Sequence, residues 1–175
     1  MFTRIVFVFL LVIIYCLSAK AQKSDTIYYF AKNQVVKNKD SADFVRIVLP
    51  PDTAVDKNLL LIKDYYKNGR LKFIGHARYS FYKFLMQGTC VDYFPNGRKR
   101  SIGSFIDNNP VGDFWEYYPN GKIFITGKYD SNNNLQIDEC RDTTGNLMAE
   151  HGNGTILNTT RILVQLSRKV LFLVA

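Results

Sequence analysis

The chain has 175 residues, with 23 Lys+Arg against 15 Asp+Glu, a formal net charge of +8. Hydrophobic residues make up 47%, charged residues 22% and aromatics 14%. That is ordinary globular composition, which excludes a disordered or collagen-like chain. Three Cys are too few for a disulfide-dense scaffold, and two His exclude a multi-histidine metal centre.

The first segment reads as an address. Arg4 precedes a continuous apolar run over residues 5–17, and Ala19 and Ala21 form the small-x-small pattern of a signal-peptidase site. At 1.5 Å per residue that run spans about 20 Å, short of the ~30 Å hydrocarbon core of a membrane. Residues 1–21 are therefore expected to be a secretory signal, cleaved near Ala21, with an uncleaved anchor as the other reading. Bulky Tyr15 before Cys16 argues against a lipoprotein site. Removing the segment leaves 21 Lys+Arg against 15 Asp+Glu, or +6 over 154 residues. Export also places Cys90 and Cys140 where disulfides are permitted.

Residues 22–58 are expected to hold strands and loops. The stretches 26–31 and 44–49 read as strands, the second stopped by Pro50 and Pro51. The polar stretch 36–43 reads as a loop. From 59 the chain becomes periodic, with 59–66 the first strand of a hairpin.

Residues 59–154 read as a hairpin-repeat domain. Asn68-Gly69, Asn96-Gly97 and Asn120-Gly121 each follow an aromatic pair and precede Arg70, Arg98 or Lys122. Six residues after each turn glycine stands another: Gly75, Gly103 and Gly127. Gly88 and Gly112 stand nine before their turn glycines. Gly97, Gly121 and Gly145 are 24 residues apart, whereas Gly69 and Gly97 are 28 apart. The four extra residues fall in 76–87, expected to be a lengthened connection. The unit around Gly145 looks degenerate.

Asn-Gly favours a two-residue type I′ turn between antiparallel strands. That turn would set Tyr118 opposite Ile123, Tyr117 opposite Phe124 and Glu116 opposite Ile125. It would likewise set Tyr93 opposite Arg100 and Tyr65 opposite Lys72. A lone hairpin is marginal in water, so successive units should pair into one growing sheet. The expected fold class is all-β: an antiparallel sheet of stacked hairpins with a period of about 24 residues. Tyr65, Tyr93 and Tyr117 would form a ladder along one face, as packing groups or as a binding stripe.

The tail, 155–175, breaks this rhythm. It has no acid, three basic residues (Arg161, Arg168 and Lys169) and only Phe172 among aromatics. Ile162, Leu163, Leu166, Lys169 and Val170 have a crude helical spacing. A short C-terminal helix capping the sheet, a membrane-surface helix and a truncated or frame-shifted end are the three readings.

With these motifs in view, the chain resembles MORN-type repeat proteins. More closely it resembles the YwqK-like, antitoxin-type variant. Gly112, Trp115 (one place late), Tyr117, Tyr118, Asn120, Gly121 and Lys122 carry the resemblance best. Gly88, Tyr93, Asn96, Gly97 and Arg98 carry it less fully, with Cys90 and Val91 where the aromatic would stand. The stretch Ser41–Asp52 is similar to the N-terminal part of the energy transducer TonB proteins of Bacteroidetes. Those proteins place such repeats ahead of a TonB domain, and residues 155–175 do not read as the start of one. The resemblance implies an exported, periplasmic or outer-envelope protein whose repeats meet a protein partner, an envelope protein or a toxin.

Motifs for catalysis are missing: there is no G-x-S-x-G, H-E-x-x-H, C-x-x-C or P-loop. His76 and His151 have no partnered nucleophile nearby in sequence, so neither suggests a catalytic site. Asp107, Asp130 and residues 132–134 suit turns better than a calcium loop. Cys90 and Cys140 lie two units apart, beyond disulfide reach in a flat sheet. Arg98-Lys99-Arg100 is the one dense basic run. The export signal argues against nucleic acid, and a solvated sheet edge accounts for the run. No catalytic, cofactor or metal residue is assigned, and membrane contact is expected only through the first segment or the tail. The expected function is a non-enzymatic interaction or spacer module. An antitoxin or immunity role is the alternative. The partner-binding candidates are Tyr65, Tyr93, Tyr117 and Trp115, and the structural turns are Asn68, Gly69, Asn96, Gly97, Asn120 and Gly121.

Overall fold

The computed structural model describes residues 25–154 except 33, 52–55, 81–82 and 152. The expected signal segment, its cleavage point and the tail with its helix lie outside the described residues. Twelve strands form one antiparallel sheet. They are β1 (Thr26–Ala31), β2 (Gln34–Val36), β3 (Phe44–Leu49), β4 (Leu60–Tyr66), β5 (Leu71–Ser80) and β6 (Lys83–Tyr93). There follow β7 (Lys99–Ile106), β8 (Asn109–Tyr117), β9 (Ile123–Tyr129), β10 (Leu135–Arg141), β11 (Leu147–Glu150) and β12 (Asn153–Gly154). From β3 to β12 each strand neighbours the next in sequence, while β1 sits between β3 and β2. The stacked-hairpin architecture is thus present, and the N-terminal strands belong to the same sheet.

Three local expectations need correction. The 36–43 stretch begins at the end of β2 and carries a 3-10 turn, Lys39–Ser41, capped by the Asn38 side chain on the Asp40 N–H at 2.9 Å. The four extra residues in 76–87 do not lengthen a connection. They lengthen β5 and β6 themselves, through the added pairs Tyr79↔Phe84 and Ser80↔Lys83. His76 accordingly sits in β5, paired with Leu61 and Gln87, and not in a loop.

The third correction is the turn. In each Asn-Gly hairpin only the glycine has positive φ: Gly69 at 77°, Gly97 at 87° and Gly121 at 90°. The Tyr118 carbonyl accepts from the Gly121 N–H, and the Tyr118 N–H donates to the Lys122 carbonyl, both at 2.8 Å. This is a three-residue loop, a type I turn closed by a glycine bulge, and Pro95 and Pro119 suit its first position. The same two bonds close the loops at Tyr66, Phe94 and Asp142. The unit around Gly145 is therefore degenerate in sequence only. A two-residue turn with both φ values positive does occur, at Asp107 (50°) and Asn108 (70°), on the opposite side of the sheet.

The extra loop residue and a bulge beside it move the cross-strand pairs. Tyr65 faces Leu71, Tyr93 faces Lys99 and Tyr117 faces Ile123, in place of Lys72, Arg100 and Phe124; Glu116 faces Ile125 as expected. The register shift recurs at the same place in all four hairpins, just before Tyr65, Tyr93, Tyr117 and Arg141. Bulges increase strand twist, so a bulge in every unit coils the sheet regularly.

One face, here called inner, is buried without a second layer among the described residues. Ile62, Ala77, Ile125 and Cys140 are 0% exposed and Phe73 is 1% exposed. The cover is local: aromatic rings lie along the sheet over glycines. A Cβ on Gly75 would meet the Cys90 sulfur at 2.6 Å and the Phe73 ring at 2.9 Å; one on Gly103 would meet the Phe114 ring at 3.3 Å. Gly75 and Gly103, six residues after their turn glycines, make that space, while Gly127 admits the close approach of the β10 backbone at Gln136.

Candidate functional site

The turn edge is stitched together by the residues that define the repeat. Each turn Asn accepts from the N–H two residues on: Arg70, Arg98 or Lys122, at 3.0 Å in each case. Its amide then donates to the next turn, Asn68 to Pro95 at 3.2 Å, Asn96 to Pro119 at 2.8 Å and Asn120 to Thr143 at 2.9 Å. The following basic side chain does the same: Arg70 reaches the Pro95 carbonyl, Arg98 that of Asn120 and Lys122 that of Thr144. In the last turn Thr144 replaces the Asn, and its hydroxyl returns to Asp142 at 2.6 Å. Two members of the basic run at 98–100 have internal partners: Arg98 staples turns and Arg100 lies 5.9 Å over the Phe94 ring, while Lys99 is exposed opposite Tyr93.

The inner face carries a row across the sheet: Arg46, Asp64, Phe73, Asp92, Ser101, Glu116, Ile125, Cys140. Arg46 Nε and Nη2 donate to the two Asp64 carboxylate oxygens, each at 2.8 Å, with both side chains buried. Burial raises Asp92 above the ordinary carboxylate value; Lys72 and Arg100 pull it back, Asp64 raises it further, and Ser101 lowers it. Tyr66 donates to the Tyr93 carbonyl at 2.6 Å, and its phenol is raised by burial. Burial pushes the Cys90 thiol up to about 12, and that of Cys140 upward as well. A buried thiol held protonated is a poor nucleophile. Cys90 and Cys140 stand on β6 and β10, four strands apart, both as free thiols.

Asp130 and Asp142 organise their loops, each lowered mainly by hydrogen bonding. Asp130 accepts from the Asn132 and Asn134 N–H groups at 2.9 Å. Asp107 accepts from Arg78 and Gln87. An open groove of about 360 Å³ follows the edge at Leu147–His151, where His151 Nε2 and Glu150 Oε1 stand 3.8 Å apart. Among the described residues no three His, Cys, Asp or Glu side chains are grouped to hold a metal.

The outer face is different. Its central row runs Ile27, Ile47, Lys63, Ile74, Val91, Ile102, Trp115, Thr126, Glu139, Glu150, one residue from β1 and from each of β3 to β11. From Ile47 to Glu139 every member is half-buried. Tyr65, Tyr93 and Tyr117 lie two residues along from Lys63, Val91 and Trp115, so alternation puts them on this same face. The four predicted residues do share one surface. The tyrosines stand on every second strand, about 10 Å apart, which spaces them as a column and not as a contacting stack.

Sequence reasoning missed the aliphatic row beside them. Its signal is in the repeat: positions six before the turn glycine (Lys63, Val91, Trp115, Glu139) and five after it (Ile74, Ile102, Thr126, Glu150). The inner acids Asp64, Asp92 and Glu116 are equally periodic, five before each glycine. Compared with known proteins, the chain matches no family model, no curated protein and no solved structure.

Proposed function

We propose that this is a non-enzymatic interaction or spacer module of the cell envelope, of the kind that the MORN and YwqK-like resemblance implies. The observation that supports this reading is the outer face. A row of Ile47, Ile74, Val91, Ile102 and Trp115, flanked by Tyr65, Tyr93 and Tyr117, is half-exposed with no described layer over it. Monomeric soluble proteins rarely leave so broad an apolar surface open, and Trp and Tyr are the residue types that dominate binding hot spots. The two thiols, Cys90 and Cys140, are instead buried on the inner face. Export through residues 1–21 is part of the proposal and sets the compartment in which a partner is met.

The test is photo-crosslinking in cells, with the photoreactive residue placed at Trp115, at Tyr93, and at Tyr79 on the inner face as control. A discrete protein adduct from 115 and 93, absent from 79, is expected. Equal adducts from all three positions, or none, would contradict the proposal. If the adduct is a toxin, the antitoxin alternative takes the place of the transducer-like role.

A further inference from the structure

We infer that the partner seated on the outer face is a second copy of this chain, packed face to face about a two-fold axis parallel to the strands. The inference rests on the reading of that face as a protein-binding surface and names what covers it.

The argument starts from the order of charges along the central row. Over the seven strands β4 to β10, one end of the row holds the cation Lys63, the other holds Glu139, and Ile74 through Trp115 between them are apolar. A two-fold axis parallel to the strands turns the sheet over and reverses this row. With the axis at Ile102, that residue meets its own copy. Val91 then meets Trp115, Ile74 meets Thr126, and Lys63 meets Glu139, each contact occurring twice. An isologous interface needs this self-complementarity, and the seven positions from Lys63 to Glu139 have it in both hydrophobicity and charge.

The groups at the rim can make the pair. Lys63 has no ion-pair partner among the described residues. Glu139 accepts from Arg141 at Oε2, from Nε at 2.9 Å and Nη2 at 2.8 Å, and its side chain is 34% exposed. The size is adequate as well. Seven strands at ~4.8 Å and three side-chain rows at about 7 Å give roughly 600–700 Å² per copy, close to the ~800 Å² of a standard interface. Two sheets packed in this way form a sandwich about 10 Å thick, with the inner faces outward.

Sedimentation velocity on the full-length protein purified from its expression host, from about 1 to about 100 μM, tests this. A dimer is expected. Lys63→Glu and Glu139→Lys should each weaken it about tenfold or more, by setting two like-charged pairs across the axis. The combined variant restores both pairs with reversed sign and should return to within about threefold of the wild type. Circular dichroism confirms that each variant is folded, since both positions are half-exposed. A monomer throughout the range, or a dimer indifferent to both swaps, overturns the inference. A monomer that still crosslinks through residue 115 to a different protein removes the second copy and leaves the proposed function standing.

Discussion

At the scale of single residues, the buried charges carry the most weight. Arg46 and Asp64 meet through two bonds of 2.8 Å, with Asp64 fully buried. Removing one member strands the other, so Arg46→Ala or Asp64→Ala should cost about 3–5 kcal/mol. Replacing both together, as Arg46→Met with Asp64→Leu, should cost far less, because no charge is left unpaired. Urea denaturation of the three variants checks this; equal losses for the singles and the double would contradict it. Asp92 works in the other direction. Burial raises its folded value above the unfolded one near 3.8. Its contribution to stability is fully present below that unfolded value and is lost as pH rises through the folded one. Asp92→Asn, which cannot ionise, should therefore gain on the wild type between about pH 3 and about pH 7. Denaturation midpoints across that range measure the gap, and a gap widest at the acid end would contradict the assignment.

At the scale of the hairpin, the repeat turns out to encode contacts between units as much as turns within them. Asn96 closes its own loop through Arg98 and reaches Pro119 in the next. Asn96→Ala loses both bonds and should cost about 1–3 kcal/mol, read by thermal or urea unfolding. A loss confined to a few tenths would show that the ladder between turns is worth little. The 24-residue spacing and the strands at 26–31 and 44–49 were legible in the sequence, because turn glycines and alternating aromatics report directly on local backbone. The turn type was not. Asn-Gly is compatible with both a two-residue and a three-residue loop, and Pro95 and Pro119 ahead of it were the overlooked sign of the latter. Short β2 was also missed, since three residues with Val35 exposed carry no alternation to detect. The aromatics of the candidate site could be read off, whereas Lys63, Ile74 and Ile102 gained meaning only once register set them in one row with Trp115.

At the scale of the whole molecule, the two faces have divided their roles. The inner face covers itself, with aromatic rings over glycines and Arg46 paired with Asp64. The outer face keeps an apolar band uncovered, lined by every candidate named from the sequence. Three of the basic residues, Arg70, Arg98 and Lys122, lie along the turn edge and donate to backbone carbonyls. The central claim is that a protein covers the outer face where this chain works. Oxidative footprinting compares it most directly in intact cells and in dilute purified protein, reading Trp115, Tyr93 and, as a control on the other face, Tyr79, which is 53% exposed. The account predicts that Trp115 and Tyr93 are modified several-fold less in cells, with Tyr79 unchanged. Equal modification of all three in both settings would contradict it.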